Sequence, residues 1–166
     1  MLLGMSEATF TAVHVVLSLI GIVSGIVVVI GMFGARRLPR WTALFLLTTV
    51  LTSATGFLFP RDHLMPSHVV GIISLILLPI AILALYRYRL AGTWRSVYVV
   101  SAVLALYLNV FVGVVQAFQK QPALARLAPT QSEPPFVVAQ LAVLAIFVVL
   151  CVSAAIKFRP TAAAIP

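Results

Sequence analysis

Five long apolar runs, separated by short segments rich in proline and charge, constrain this chain more than any other feature. They cover approximately residues 9–33, 41–59, 67–86, 96–118 and 136–156. Each run is close to the ~20 residues that an α-helix needs to cross a bilayer, and backbone polar groups in lipid must be satisfied within the segment. The sequence therefore predicts an all-α fold: a polytopic membrane protein with a single domain, 1–166, formed by five transmembrane helices, and with an outer loop at 119–135.

Composition supports a membrane protein and argues against a nucleic-acid partner. The chain is 63% hydrophobic and 8% charged, whereas soluble domains have roughly a quarter of their residues charged. Its formal net charge of +8 does not indicate nucleic acid, because the basic residues lie between apolar runs and not on a polar face. We expect the lipid bilayer to be the main partner.

The basic residues predict the orientation of the bundle. In a five-span arrangement most of them fall on one side: Arg36, Arg37, Arg40, Arg87, Arg89, Arg95, Lys157 and Arg159. The other side holds the remaining basic residues and every acidic residue: Arg61, Lys120, Arg126, Glu7, Asp62 and Glu133. Because cytoplasmic flanks retain Lys and Arg, we expect the N-terminus outside and the C-terminus in the cytoplasm.

Polar side chains inside the spans predict where a site would lie, because each is costly in lipid and normally faces the bundle interior. With ~1.5 Å of rise per residue, His14, His68, Gln116 and Gln140 each lie within about 8 Å of the outer ends of their helices. Asn109 lies deeper in the fourth helix. The sequence therefore predicts a polar layer in the outer half of the bundle.

One face of the first helix has a pattern of its own. His14, Ser18, Gly21 and Gly25 follow one another at steps of four, three and four residues, which places them on the same side of a helix. Gly21 and Gly25 also form a G-x-x-x-G pair, which lets a neighbouring helix approach closely. We interpret the two glycines as a packing seam.

One hypothesis for the polar layer is a b-type haem, because two imidazoles from different helices at matched depth commonly hold the iron. His14 and His68 meet that requirement. Arg61, Lys120 and Arg126 lie at the same end, where they could pair with the haem propionates. The function would then be electron transfer by a haem-dependent membrane carrier.

A different hypothesis is a small transporter or channel component for a polar solute or for protons. His14, Asn109, Gln116 and Gln140 would bind the solute or relay protons from the outer side. No Asp, Glu, Lys or Arg lies in the middle of a predicted helix, so ion coupling would depend on His14 or His68.

A third hypothesis is a metal site in the outer loops. Asp62, His63, His68 and Glu133 would supply mixed nitrogen and oxygen ligands, although their spacing matches no specific motif. The single Cys151 lies inside an apolar run, so no thiolate cluster is expected.

The interpretation that the sequence favours is a structural or accessory membrane subunit. Its polar layer would fix the register of the helices or contact a partner, which is either another membrane subunit or a second copy of the chain. Catalysis of the soluble type is not indicated, because the chain has no phosphate-binding glycine loop, no H-E-x-x-H motif and no nucleophile elbow.

Two stretches carry a resemblance. Thr-Gly-Phe-Leu-Phe-Pro at 55–60 and Ala-Pro-Thr-Gln-Ser-Glu-Pro-Pro-Phe at 128–136 resemble segments of an uncharacterised family of small multi-pass bacterial inner-membrane proteins. The resemblance extends over most of the chain and implies a bacterial inner-membrane location. It implies no activity and no ligand, so it assigns a role to no residue.

Overall fold

The computed structural model describes residues 4–59 and 66–160, and all regular structure within these ranges is helical. The helices are α1 (Glu7–Phe33), α2 (Pro39–Gly56), α3 (Pro66–Ile82), α4 (Trp94–Lys120), α5 (Pro122–Leu127) and α6 (Pro134–Lys157). A π-helical turn, Leu83–Arg87, continues α3, and the short α5 lies within the predicted outer loop. The all-α prediction is confirmed.

Four segments of the described ranges are long and apolar enough to cross a membrane. They are Glu7–Phe33, Ser67–Arg87, Trp94–Lys120 and Pro134–Lys157. These helices confirm the prediction of a multi-pass membrane protein. The fifth predicted span corresponds to α2, which is 18 residues long but carries Arg40 and five threonines. These polar residues lower the hydropathy of α2, so its composition alone does not assign it as a span.

The helix boundaries follow from proline and capping residues. Ser6 caps α1, because its side chain accepts a hydrogen bond from the Thr9 amide at 3.1 Å. Pro39 opens α2, and Pro134 opens α6 two residues earlier than the predicted start at 136. Proline fits the first turn of a helix, since the N–H that it lacks would have no partner there.

Helix α4 lies at the centre of the bundle. It packs against α1, α2, α3 and α6, and its inward face, including Val99, Ala102 and Leu106, is almost fully buried. The most extensive helix pair is α1 with α2, and α2 also packs against α3. Helix α6, described over its whole length, buries Phe147 and Ala154 and leaves most of its other side chains accessible.

The packing seam predicted at Gly21 and Gly25 lies where α1 contacts α2 and α4. A Cβ atom at Gly25 would stand 2.7 Å from Leu106 Cδ1 and 2.9 Å from the ring of Phe45. Both distances are shorter than a carbon–carbon contact allows. An alanine at position 25 would therefore require the Leu106 and Phe45 side chains to shift, so the glycine favours this close approach of the three helices.

Alternating helix directions give the bundle two chemically different ends. The end that contains His14, Thr55 and Gln116 is called the His14 end here. The opposite end, called the arginine end, contains the segment after α1 with Arg36 and Arg37. At the arginine end, Arg95 of α4 donates from Nη1 to the carbonyls of Ala155 (2.9 Å) and Phe158 (2.6 Å), which joins α4 to the end of α6.

Candidate functional site

His14 joins α1 to the end of α2. Its Nδ1 lies 2.9 Å from Thr55 Oγ1, and the Thr55 hydroxyl donates its one hydrogen to the Leu51 carbonyl at 2.7 Å. When the hydroxyl donates to the Leu51 carbonyl, it can only accept from the ring, and Nδ1 of His14 then carries the proton. In the neutral imidazole this leaves Nε2 as the acceptor nitrogen.

Ser18 and Asn109 join α1 to α4 one turn deeper. Ser18 Oγ donates to Asn109 Oδ1 at 2.8 Å, and Asn109 Nδ2 lies 3.4 Å from the Ser18 carbonyl. Asn109 is buried, with 8% of its surface exposed. An amide at this depth would be costly without a partner, and the serine supplies one.

Gly21 lies directly below this pair and is surrounded by polar atoms. A Cβ at Gly21 would stand 3.1 Å from Asn109 Nδ2, 3.1 Å from Thr49 Oγ1 and 3.3 Å from Thr48 Oγ1. The Thr49 and Thr52 hydroxyls are buried and have no hydrogen-bond partner among the described residues. The glycine thus brings the α1 backbone against the threonine face of α2.

The predicted glutamines occupy two further contacts. Gln140 of α6 donates from Nε2 to the Phe111 carbonyl of α4 at 3.2 Å, while its buried Oε1 has no partner among the described residues. Gln116 donates to Gln119 at 3.4 Å, Gln119 donates to Gln131 at 3.3 Å, and Gln131 reaches the Val115 carbonyl at 3.1 Å. The hydrogen bonds of these side chains are therefore of two kinds: Gln140 joins α6 to α4, and Gln116, Gln119 and Gln131 join α4 to the loop before α6.

The rings of His14 and His68 pack on phenylalanines from the end of α2. His14 meets Phe59 edge to face with ring centroids 5.2 Å apart, and His68 lies 5.5 Å from Phe57. These contacts place both imidazoles against the residues that follow α2. Of the proposed propionate partners, Lys120 and Arg126 are exposed, and Arg61 lies outside the described residues. Haem ligation stays a prediction.

The predicted metal ligands are only partly described. Asp62 and His63 lie outside the described residues. Within the described ranges, no group of three His, Cys, Asp or Glu side chains stands close enough to hold a metal ion. The loop metal site therefore also stays a prediction.

Glu133 closes the turn that precedes α6. Its Oε1 accepts from the Thr130 amide (3.1 Å) and hydroxyl (2.9 Å), and its Oε2 accepts from the Ser132 amide (3.1 Å). Desolvation raises the pKa of the Glu133 carboxyl, but the hydrogen bonds of the loop, including those from Thr130 and Ser132, together outweigh it and lower the pKa below its ordinary value. The carboxylate is thus held by its own loop.

A cavity of about 340 Å³ opens at the arginine end, between α1, α2, the π turn and α4. It is lined by apolar side chains, two tyrosines, a threonine and three arginines: Val28, Met32, Leu38, Pro39, Leu85, Phe158, Tyr86, Tyr98, Thr42, Arg36, Arg37 and Arg89. Sequence reasoning missed this site because it interpreted the arginines only as an orientation signal. The sequence did contain a signal for this cavity, because tyrosines and arginines occur together near the helix ends that meet at the arginine end.

Comparisons with known proteins give no family. No family model, curated protein or solved structure matches this chain. A function must therefore come from the geometry at the two ends of the bundle.

Proposed function

We propose that this chain is a five-span protein of a bacterial inner membrane that serves as a structural or accessory subunit. The resemblance of residues 55–60 and 128–136 to bacterial inner-membrane proteins supports the location. The exposed apolar side chains of α6, among them Val138, Val149 and Ile156, support contact with lipid, with another membrane subunit or with a second copy.

Helix α2 is the fifth span of this proposal. Its 18 residues, at ~1.5 Å each, reach about 27 Å, close to the hydrocarbon thickness of ~30 Å. It packs along α1, which is apolar enough to cross by itself, and so occupies the same layer. Its buried residues include Thr42, Thr48 and Thr49, which removes much of its polarity from lipid.

The orientation places the arginine end in the cytoplasm. Most basic residues of the chain belong to that end, including Arg36 and Arg37 after α1 and Lys157 at the end of α6. An odd number of spans then leaves the N-terminus on the outer face. Retention of Lys and Arg on the cytoplasmic side is the physical basis of this assignment.

One observation carries the structural role: polar side chains in the spans bond to neighbouring helices. His14 forms a hydrogen bond with Thr55, Ser18 with Asn109, and Gln140 with the Phe111 carbonyl. Hydrogen bonds between helices in lipid fix their register and rotation. A solute site would instead need several unpaired groups that converge on one cavity.

The accessory role is tested by native electrophoresis of membranes solubilised in a mild detergent. We expect the protein to migrate in an assembly larger than the 17.8 kDa chain with its detergent belt. Migration as a monomer at every detergent concentration would contradict it.

The haem and transport alternatives have their own readouts on the same sample. A Soret absorption band that disappears in His68→Ala would favour the haem carrier. Solute flux in proteoliposomes that disappears in both His14→Ala and Asn109→Ala would favour a transporter. The structural role predicts neither signal.

A further inference from the structure

We propose that the cavity at the arginine end binds the phosphate headgroup of an anionic phospholipid, with the phosphate between Arg36, Arg37 and Arg89 and the adjoining apolar part against the inner wall. This inference goes beyond the structural role proposed above and does not depend on it. It depends on the membrane location and on the cavity.

The positive charge around the cavity is not compensated within its walls. Arg36 and Arg37 follow α1, and Arg89 follows the π turn, so two separate segments bring arginine residues to the lining of the same cavity. None of the described lining residues is Asp or Glu. Like charges repel one another, so bringing three arginines together is unfavourable. An anion between them would be attracted to all three and would offset this repulsion. Arginine also presents paired N–H groups that match the oxygens of a phosphate.

Arg37 lines the cavity and carries an unsatisfied donor. Its Nη1 is buried and has no hydrogen-bond partner among the described residues. A buried charged donor without a partner is costly, so a side-chain movement that lets Arg37 donate to a ligand oxygen in the cavity would relieve this cost. By contrast, Nη1 of Arg95 at the same end is already bonded to two carbonyls of the α6 terminus.

The inner wall of the cavity is apolar. Val28, Met32, Leu85 and Phe158 line it, and each is at most 6% exposed in the fold. The volume of about 340 Å³ lies at the lower end of the roughly 300–1,000 Å³ range of ligand pockets. It suits a headgroup and the start of an acyl chain, whose remainder would lie in the bilayer.

The backbone around the opening is irregular where the ligand would bind. Leu85 and Tyr86 belong to the π turn Leu83–Arg87, and such turns occur frequently at functional sites. Arg89 has φ of 49° and Leu90 has φ of 62°, both in the left-handed region that residues with a Cβ atom rarely adopt. Local strain of this kind clusters at ligand-binding segments.

A phospholipid fits this position better than a soluble phosphate. Tyr86, at the cavity edge, is 57% exposed on a segment that is apolar enough to span a membrane, so the opening lies near the level of lipid headgroups. Basic pockets between transmembrane helices are recognised sites for anionic headgroups. The same chemistry would attract inorganic phosphate, so the test separates the two.

The experiment measures lipid binding by native mass spectrometry of the whole protein in detergent. Phosphatidylglycerol is compared with phosphatidylcholine of the same chain length, and inorganic phosphate and glycerol 3-phosphate serve as headgroup probes without a chain. We expect phosphatidylglycerol to bind at least about tenfold more tightly than each of the other three.

Three variants locate the site. Arg37→Gln and Arg89→Asn should each weaken phosphatidylglycerol binding by about tenfold or more, the effect of losing one charged hydrogen bond. Arg89 is exposed and Asn tolerates left-handed backbone, so this variant should fold even if Arg37→Gln does not. The matched control is Arg40→Gln, an exposed arginine of the same end that does not line the cavity, and it should change binding less than twofold.

Three outcomes would overturn the proposal. One is equal binding of phosphatidylglycerol and phosphatidylcholine. A second is an equal loss of binding in Arg40→Gln and Arg89→Asn, which would indicate only diffuse charge. The third is binding of inorganic phosphate as tight as that of phosphatidylglycerol, which would assign the arginines to a soluble anion.

Discussion

Ser18 of α1 donates a hydrogen bond to the Oδ1 atom of Asn109 in α4 across 2.8 Å, and this contact joins the first helix of the bundle to its central helix. Asn109 is buried beside Gly21, where the two helices approach closely. The pair is therefore the clearest case in which a polar side chain inside the bundle forms a hydrogen bond with another helix.

Breaking this pair should lower stability in a coupled way. Ser18→Ala and Asn109→Leu should each reduce the free energy of unfolding by about 1–2 kcal/mol, because each removes the hydrogen bond between the half-buried Ser18 and the buried Asn109. The double variant should lose less than the sum, with a coupling of about 0.6 kcal/mol and at most about 1.7 kcal/mol. Reversible unfolding in mixed micelles measures all three, and strictly additive losses would mean that the hydrogen bond contributes nothing.

Substitution by alanine should have opposite effects at two helix glycines, one in the packing seam and one outside it. Gly25→Ala should destabilise the protein by about 1–3 kcal/mol, because the new methyl would lie 2.7 Å from Leu106 Cδ1. Gly113→Ala is the matched control, since its Cβ would meet nothing closer than Ile22 at 3.8 Å, and alanine is the better helix former by up to about 1 kcal/mol. Thermal unfolding in detergent measures both. A neutral Gly25→Ala variant would contradict the close approach of α1.

Arg95 should hold the end of α6 in place. Its Nη1 bonds the carbonyls of Ala155 and Phe158, which lie in the last turn of α6 and just after it. Arg95→Gln should therefore increase hydrogen exchange at residues 155–158 by about tenfold, and the rest of α6 should be unaffected. Arg40→Gln serves as the control. Unchanged exchange in Arg95→Gln would show that α6 ends securely without this cap.

The loop before α6 should respond to acid through Glu133. Because its carboxyl has a lowered pKa in the folded loop, its contribution is present above the ordinary pKa and is lost as the pH falls through the lowered value. Acidification should therefore lower the protection of the Thr130 and Ser132 amides, measured as the exchange rate relative to that of an unstructured peptide at the same pH. Glu133→Gln should remove most of this pH dependence, and an identical acid response in the variant would assign it to another group.

The fold was largely predictable because length and hydropathy decide which segments enter lipid. Four of the five runs are recovered as apolar helices, whereas α2 is not, because its threonines mix polarity with length. The predicted end of the second helix at 59 also lay three residues beyond the observed end at Gly56. Gly56 is itself a helix-ending signal, but the predicted boundary followed Pro60 instead.

The sequence predicted at which level of the bundle the candidate site lies, but not which side chains contact one another. Helical spacing placed His14 and Ser18 on one face, and both indeed reach neighbouring helices. Spacing does not fix the rotation of α4 toward its partners, so the association of Gln116 with Gln119 and Gln131 could not be foreseen. The arginine-end cavity is lined by residues as far apart in the sequence as Val28 and Phe158, and only tertiary packing brings them together.

Single-cysteine labelling tests the five-span orientation most directly. Cysteines are placed one at a time at Ala8, Ser132, Thr93 and Arg159 in a Cys151→Ser background, and intact cells are treated with a membrane-impermeant maleimide. The account predicts that Ala8→Cys and Ser132→Cys react in intact cells, and that Thr93→Cys and Arg159→Cys react only after permeabilisation. Labelling of Ala8→Cys and Arg159→Cys from the same side would mean an even number of spans and would contradict the proposed membrane crossing of α2.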